Sequence, residues 1–400
     1  MTATGIAFAA ARRLIQEEVG VSPLAPETLA LSRCHGRILA GEILAPRPLP
    51  GFANSAMDGF ALRHSDLGPG DTLLTLAGEQ FAGPDLGLEL PPGHCARITT
   101  GAPLPVGADT VVMKEHAGIE GTSVRVEVTT RGAHVRHAGE DVEAGTRVFG
   151  RGDVLTPARV ALAAALGIDS LMVSRRPTVA VFTCGDELVE PGLPLEPGQI
   201  HDSNRELLMG LLRAEGLEPT AWPLLPDDPE RISVALRDAG CAFDLIVTCG
   251  AVSVGEKDHI PAVLAEFGNI HFWKVRMKPG MPVLFASLDQ AKVLALPGNP
   301  VSVLATWLTL GRALADAMQG RTEPRRRWVA RLASPVHKPH ERLEFMRGRL
   351  GHGEAGMEVE PSTATGSHRL RAAADADALL VVPEGVQDLP AGSMVEVLPL

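Results

Sequence analysis

Tyrosine is absent from these 400 residues, and Phe and Trp together supply an aromatic share of only 4%. Binders of single-stranded nucleic acid stack bases on aromatic rings, so that class is disfavoured at the outset. Positive charge is also short: 37 Lys and Arg face 48 Asp and Glu, a formal net charge of −11. A duplex binder presents a basic face. The one dense basic run, Arg325-Arg326-Arg327, falls where the pattern puts a domain linker and reads as solvated. No nucleic-acid partner is expected. The five cysteines, Cys34, Cys95, Cys184, Cys241 and Cys249, are scattered and form no C-x-x-C. That pattern argues against a disulfide framework or a structural zinc and for a reducing, cytoplasmic setting. No apolar run reaches the ~20 residues of a membrane span. Arg12, Arg13, Glu17 and Glu18 interrupt any leader-like stretch, so neither a signal peptide nor a membrane partner is expected.

What is present is an ordinary globular composition, 45% hydrophobic and 21% charged, long enough for about two to four domains. Residues 6–19 carry apolar side chains at helical spacing. Pro46, Pro48, Pro50 and Gly51 then mark a boundary. Residues 49–140 are turn-rich, with strands expected at Asp109–His116 and Ser123–Thr130. Thr156-Pro157 pairs an N-cap with a first-turn proline and opens a helix that Gly167 closes. The pattern therefore gives an elongated helical/β module from residues 1–48 and 141–176, with a β-rich insertion domain, 49–140, between its halves.

From Pro177 the sequence alternates buried strands with capped helices. Strands are expected at Thr178–Thr183, Ala221–Leu225, Asp244–Thr248, His271–Val275, Val283–Phe285 and Val293–Leu296. Helices are expected after Ser203 or Asn204, after Asp228-Pro229, and from Asn299-Pro300 through Trp307 and Leu310. This reads as a doubly wound α/β domain on a parallel sheet, 177–322. Short strands and turns over 323–400 form a C-terminal small β domain, ending in a strand at Met394–Leu400.

Open α/β sheets bind ligands beyond the carboxyl ends of their strands. The turns there carry Cys184-Gly-Asp-Glu187, Asp227-Asp228, Cys249-Gly-Ala-Val-Ser-Val-Gly-Glu-Lys-Asp258 and Pro297-Gly-Asn-Pro300. Gly250 and Gly255 permit close backbone approach, and the helix opening at Asn299-Pro300 offers a phosphate seat. Asp227, Asp228 and Asp258 beside a phosphate suit Mg²⁺, although Asp228 also fits as a helix cap. Lys274 and Lys278, four apart in an extended segment, would point the same way as an oxyanion clamp. Other chemistries fail on detail: there is no G-x-G-x-x-G after the first strand, no Walker A loop and no H-E-x-x-H. Ala251-Val-Ser253-Val-Gly255 lacks the first Gly of a nucleophile elbow. The irregular segment Pro50-Gly-Phe-Ala-Asn-Ser-Ala-Met-Asp-Gly59, with Asp58 as its one acid, is the kind of loop that carries function.

These segments, with Thr99-Thr-Gly-Ala-Pro103, Gly139-Glu-Asp141 and Leu296-Pro-Gly-Asn-Pro-Val-Ser302, occur in order over nearly the whole chain. Together they resemble the molybdopterin molybdenumtransferase family, called MoeA in bacteria and the E domain of gephyrin in animals. The resemblance implies a molybdopterin-binding α/β domain. The implied reaction inserts molybdate into adenylated molybdopterin, with Mg²⁺-dependent hydrolysis releasing AMP and molybdenum cofactor. It implies a homodimer whose site is shared between subunits. Its protein partners would be the adenylyltransferase that supplies the substrate and the carriers that receive the product. The family's functional acids fall on Asp58, Asp141, Glu187, Asp227 and Asp258, with Thr100 beside them. Gly250, Pro297, Gly298 and Pro300 fall in its ligand-binding turns. Lys274 and Lys278, with Ser253, would hold molybdate, and Arg347 and Ser367 would be C-terminal anion contacts. Metal would be held by Asp227, Asp228 and Asp258.

The chain departs from the family at Ala251, where Gly is usual, and at Phe60, where Tyr is frequent. Neither change removes a charge. Two other readings stand beside this one: molybdopterin adenylyltransferase, which would lack the insertion and C-terminal β domains, and a non-catalytic scaffold, which would have no use for the acids and lysines.

Overall fold

The computed structural model describes residues 3–20, 23–252, 255, 258–354 and 356–400. Its centre is a seven-stranded sheet. In spatial order the strands are Ala3–Ile6, Asn269–Val275, Leu284–Leu288, Ala291–Leu296, Leu245–Cys249, Val179–Thr183 and Pro219–Ala221. Alternation assigns the side chains to two cores. Val179, Val181, Leu245, Val247, Leu294 and Leu296 face one, and Ala180, Phe182, Ile246, Val293 and Ala295 face the other. Helices cover both faces, which is why these strands read as continuous apolar runs.

The sheet is mixed rather than wholly parallel. Leu284–Leu288 runs against both of its neighbours. Leu288 pairs with Ala291, so only Asp289 and Gln290 link the two strands, and Asp289 has φ +50°. A two-residue link can make only an antiparallel hairpin. The remaining strands keep one direction, so their carboxyl ends still gather on one edge. The second strand lies at Pro219–Ala221, earlier than expected. Leu225 still bridges Cys184 and delivers the chain to that edge.

The N-terminus also departs from expectation. Ala3–Ile6 adds the edge strand parallel to Asn269–Val275, and helix Phe8–Val19 buries Ala11, Ile15 and Val19 in the α/β core. Only the later part of the first segment joins the elongated module. There Leu29, Cys34 and Leu39 pack with Phe149, Leu155, Val160 and Val173. Thr156 caps helix Pro157–Ala165 through its side chain.

The insertion is a six-stranded sheet. Its strand Thr110–Met113 ends in a tight turn at Lys114–His116, and the next expected strand spans Ser123–Val126. In the C-terminal domain Leu343–Gly353 pairs with both Gly356–Pro361 and Ala378–Val382. Trp328–Leu332 and Met394–Pro399 complete a closed barrel. The basic run before the barrel is not wholly solvated. Arg325 bonds Asp316 at 2.7 Å and Glu215 at 2.7 Å, and Arg312 reaches the same Glu215 at 2.5 Å. The linker is thereby pinned to the α/β domain.

Candidate active site

A cavity of about 870 Å³ opens at the carboxyl edge of the sheet. Glu187, Asp227, Asp258, Gly250, Pro297, Gly298 and Pro300 all line it, so seven of the expected site residues meet in one place. The close approach at Gly250 is real: its φ is +93°, and a Cβ there would sit 2.6 Å from the Cys184 carbonyl oxygen. Asp258 Oδ2 accepts from the Gly255 N–H at 2.6 Å, and the Asp227 N–H donates to Asp186 Oδ1 at 3.0 Å. The first bond closes its own turn and the second ties two turns together, so the acid-bearing turns are oriented.

Two details differ from expectation. Asp228 Oδ1 accepts from the Glu230 and Arg231 N–H groups at 2.9 and 3.0 Å, capping helix Pro229–Ala242. Asp228 does not line the cavity, so its fold role accounts for it. The helix start at Pro300 is not an open phosphate seat either. Its first N–H groups are taken: Val301 donates to Ser367 O at 3.2 Å, and Ser302 and Val303 donate to Asn299 O. Tertiary packing of the barrel loop on the helix supplies the first of these partners.

Sequence reasoning missed Asp202 and Asn204 in the cavity wall. The helix was expected to be capped by Ser203 or Asn204; the cap is Asp202. Asp202 is buried, accepts from Thr183 Oγ1 at 2.6 Å and from the Arg205 N–H at 3.1 Å, and lies 3.5 Å from Arg205 Nε. Asn204 Nδ2 donates to Gly298 O at 2.6 Å, holding the third glycine turn. The available signal was the acid immediately before the helix, as good a cap as Ser or Asn. Cys184 and Cys249 also line the cavity. Burial, then the nearby Asp227 and Asp202, push the Cys184 thiol up to about 12, and burial pushes Cys249 well above its ordinary value.

A second cavity, of about 280 Å³, adjoins the first across Pro282, Pro297 and Asn299 and lies against the barrel. Lys278, Arg347 and Ser367 line it. Lys274 does not. The segment is broken between Asn269–Val275 and Met277–Lys278. Lys274 has φ +67° and its Nζ lies 4.7 Å from the Trp273 ring centre. Lys278 pairs instead with Glu344 at 2.9 Å. The expected two-lysine clamp is thus divided by a change of backbone direction. Arg347 is buried and gives its guanidinium to the carbonyls of Ala364, Gly366 and Arg369. It shapes the loop carrying Ser367 more than it offers free donors. Ser253 lies outside the described residues.

Asp58 and Thr100 meet elsewhere, on the insertion domain, and Asp141, one residue past its end, bonds back to Leu49 at its start. Asp58 Oδ1 accepts from Thr100 N at 2.9 Å and from Thr100 Oγ1 at 3.0 Å, with Lys114 Nζ 3.7 Å from Oδ2. The Thr100 backbone bond and then its hydroxyl hold the Asp58 carboxyl below the usual range. Ser55 exchanges backbone bonds with Gly101 and Ala102, and Asp141 N donates to Leu49 O. The three loop motifs, far apart in sequence, therefore form one surface. None of their residues lines either cavity.

Among the described residues no three His, Cys, Asp or Glu side chains converge as a metal cage. Mg²⁺ binds through one or two carboxylates, waters and substrate phosphates rather than all-protein cages. Asp227 and Asp258 on the wall of one cavity fit that donor set.

Three family models match the chain in succession. The MoeA N-terminal region (domains I and II) covers 6–167, a probable molybdopterin binding domain covers 180–316, and the MoeA C-terminal region (domain IV) covers 329–400. A molybdopterin molybdenumtransferase of Haemophilus influenzae is 38% identical over 382 residues, 94% of each chain. Molybdopterin molybdenumtransferase 2 of Mycobacterium tuberculosis is 37% identical, over 93% of this chain and 94% of its own. A crystal structure of the molybdopterin biosynthesis MoeA protein of Pyrococcus horikoshii superposes with a TM-score of 0.84 at 28% identity, covering 99% of this chain and all of the other.

Proposed function

From its membership of the molybdopterin molybdenumtransferase (MoeA) family, to which this chain belongs along its length, we propose that it inserts molybdate into adenylated molybdopterin and releases AMP and molybdenum cofactor. The observation that carries this reading is the pair of adjoining cavities. One is lined by acids and glycine turns and the other by Lys278, Ser367 and further hydroxyls. The larger suits the phosphate-linked organic ligand and the smaller a tetrahedral oxyanion.

In this scheme Gly250 and Gly298 let the backbone approach the phosphates, and Asn204 fixes the Gly298 turn. Mg²⁺, held by Asp227 and Asp258, would polarise the phosphoanhydride. Glu187 stands in the same cavity to accept or hold a proton of the attacking water. Lys278 balances the charge of molybdate. Asp58 and Thr100, from the insertion domain, and Asp141, at its junction with the module, act from a second copy, since in one chain they line neither cavity. The protein would then work as a homodimer with shared sites. Four buried free thiols, Cys34, Cys95, Cys184 and Cys249, suit a reducing cytoplasm. No described helix is long and apolar enough to cross a membrane.

The test is single-turnover assay of the purified protein with adenylated molybdopterin, Mg²⁺ and molybdate. AMP release and cofactor formation are expected, with loss of at least ~10²-fold in Asp227→Asn. Formation of adenylated molybdopterin from ATP and molybdopterin would instead favour the adenylyltransferase. No AMP release and no cofactor formation by the folded wild-type protein would favour the scaffold.

A further inference from the structure

The barrel contributes His368 and Leu370 to the wall of the larger cavity. His368 is exposed, and its ring has no hydrogen-bond partner among the described residues. His201, the other imidazole of that wall, has Nε2 3.0 Å from Leu193 O and is committed to its own loop. The carboxylates facing the same space are Glu187, Asp202, Asp227 and Asp258. Imidazole is the side chain that ordinarily gains and loses a proton near neutrality, so it can bring a proton to a phosphate and leave it there.

The loop that carries His368 is braced on both sides of it. Arg347, buried in the barrel, donates to the carbonyls of Ala364, Gly366 and Arg369, at 3.1 Å for Gly366 and 3.4 Å for Arg369. The Val301 N–H, at the start of a helix of the α/β domain, donates to Ser367 O at 3.2 Å. The Leu370 N–H donates to His368 O at 2.9 Å. The bracing therefore comes from two domains, although the imidazole itself stays open to a ligand. Fixing a loop before the substrate arrives removes the entropy of orienting its reactive group during the reaction.

We propose that His368 is a further catalytic residue of the larger cavity, donating a proton to the phosphate oxygen that leaves when the phosphoanhydride is hydrolysed. The inference rests on the reading of that cavity as the seat of adenylated molybdopterin. The water oxygen bonds to one phosphorus of the P–O–P link while the bond from that phosphorus to the bridging oxygen breaks. The bridging oxygen keeps the electron pair, leaves with the other phosphate and takes the imidazolium proton. The proton lost by the water passes to Glu187. One proton is delivered and one collected, and exchange with solvent resets both groups. The acid stands on the barrel and the base on the α/β domain, so the contact between these two domains assembles the step.

Single-turnover release of AMP from adenylated molybdopterin by the full-length protein, followed from about pH 6 to about pH 9, tests this. The wild-type rate should fall toward the alkaline end as the donor loses its proton. His368→Ala should be slower by about 10²-fold and should lose the alkaline fall. Its half-saturating substrate concentration should stay within about threefold of wild type, since proton donation acts in the transition state. Added imidazole should raise the rate of His368→Ala by about tenfold or more, because it carries the missing proton. His368→Gln keeps a hydrogen-bond donor but cannot hand over a proton, so it should be as slow as His368→Ala; it guards against a fold defect in the smaller variant. A wild-type rate in either folded variant, or a loss that keeps the alkaline fall and that imidazole does not rescue, overturns the role of His368 alone. Absence of AMP release by the wild type overturns the reading of the cavity as well.

Discussion

Asp58 Oδ1 receives both the backbone N–H and the hydroxyl of Thr100, at 2.9 and 3.0 Å, across 42 residues of sequence. Lys114, its third neighbour, is also an insertion-domain residue. The carboxylate is built and oriented by its own domain, while the acids of the sheet edge are built by another.

Complementation follows from that separation. In a mixture of Asp58→Ala and Asp227→Ala proteins, each mixed dimer would keep one intact shared site. Half of randomly re-paired dimers are mixed, so activity should recover to about a quarter of wild type. Activity that stays at the level of either variant alone would place the whole site within one chain.

Arg325→Ala should destabilise the protein by about 1–3 kcal/mol in urea unfolding, since Glu215 and Asp316 lose a partner but retain Arg312 and Arg321. Burial alone would raise the Glu215 carboxyl, but Arg325 and Arg312 outweigh it and hold it low. A lowered folded pKa contributes stability above the unfolded value, about pH 4.3, and that contribution is lost as pH falls through the folded one. The variant should therefore show a shallower loss of stability in this acid range than wild type.

Ala251→Gly should stabilise the fold. Ala251 sits at φ +52°, a left-handed conformation that costs a residue with a Cβ roughly 1–2 kcal/mol. Glycine's larger unfolded-state entropy offsets part of the gain, leaving up to about 1 kcal/mol. A fall in melting temperature for this variant would contradict the strain.

Iodoacetamide at pH 8 should modify Cys241, the exposed thiol, and spare the four buried ones in the native protein. Cys184 lines the larger cavity yet, with its thiol pushed up to about 12 by burial first of all, has almost no thiolate to react. Rapid labelling of Cys184 would show that the cavity floor is more open and better hydrated.

The sequence by itself determined what local chemistry determines. Apolar runs marked the central strands, Thr156-Pro157 and Asp228-Pro229 marked helix starts, and the glycine- and acid-bearing turns marked the ligand edge. That edge survived even though one strand is reversed, because reversal of Leu284–Leu288 leaves the direction of its neighbours intact. The motifs also sufficed to identify the family. Only the tertiary structure decided which residues meet. Helix Phe8–Val19 shows the same amphipathic stripe whichever domain it covers, and its place on the α/β core comes from the strand before it. The N–H of Val301 is spent on Ser367, 66 residues later in the chain, and Lys278 is held by Glu344 through a strand pairing between domains. Periodicity reports the face a side chain points to, but the partner waiting at that face is set by how distant elements pack.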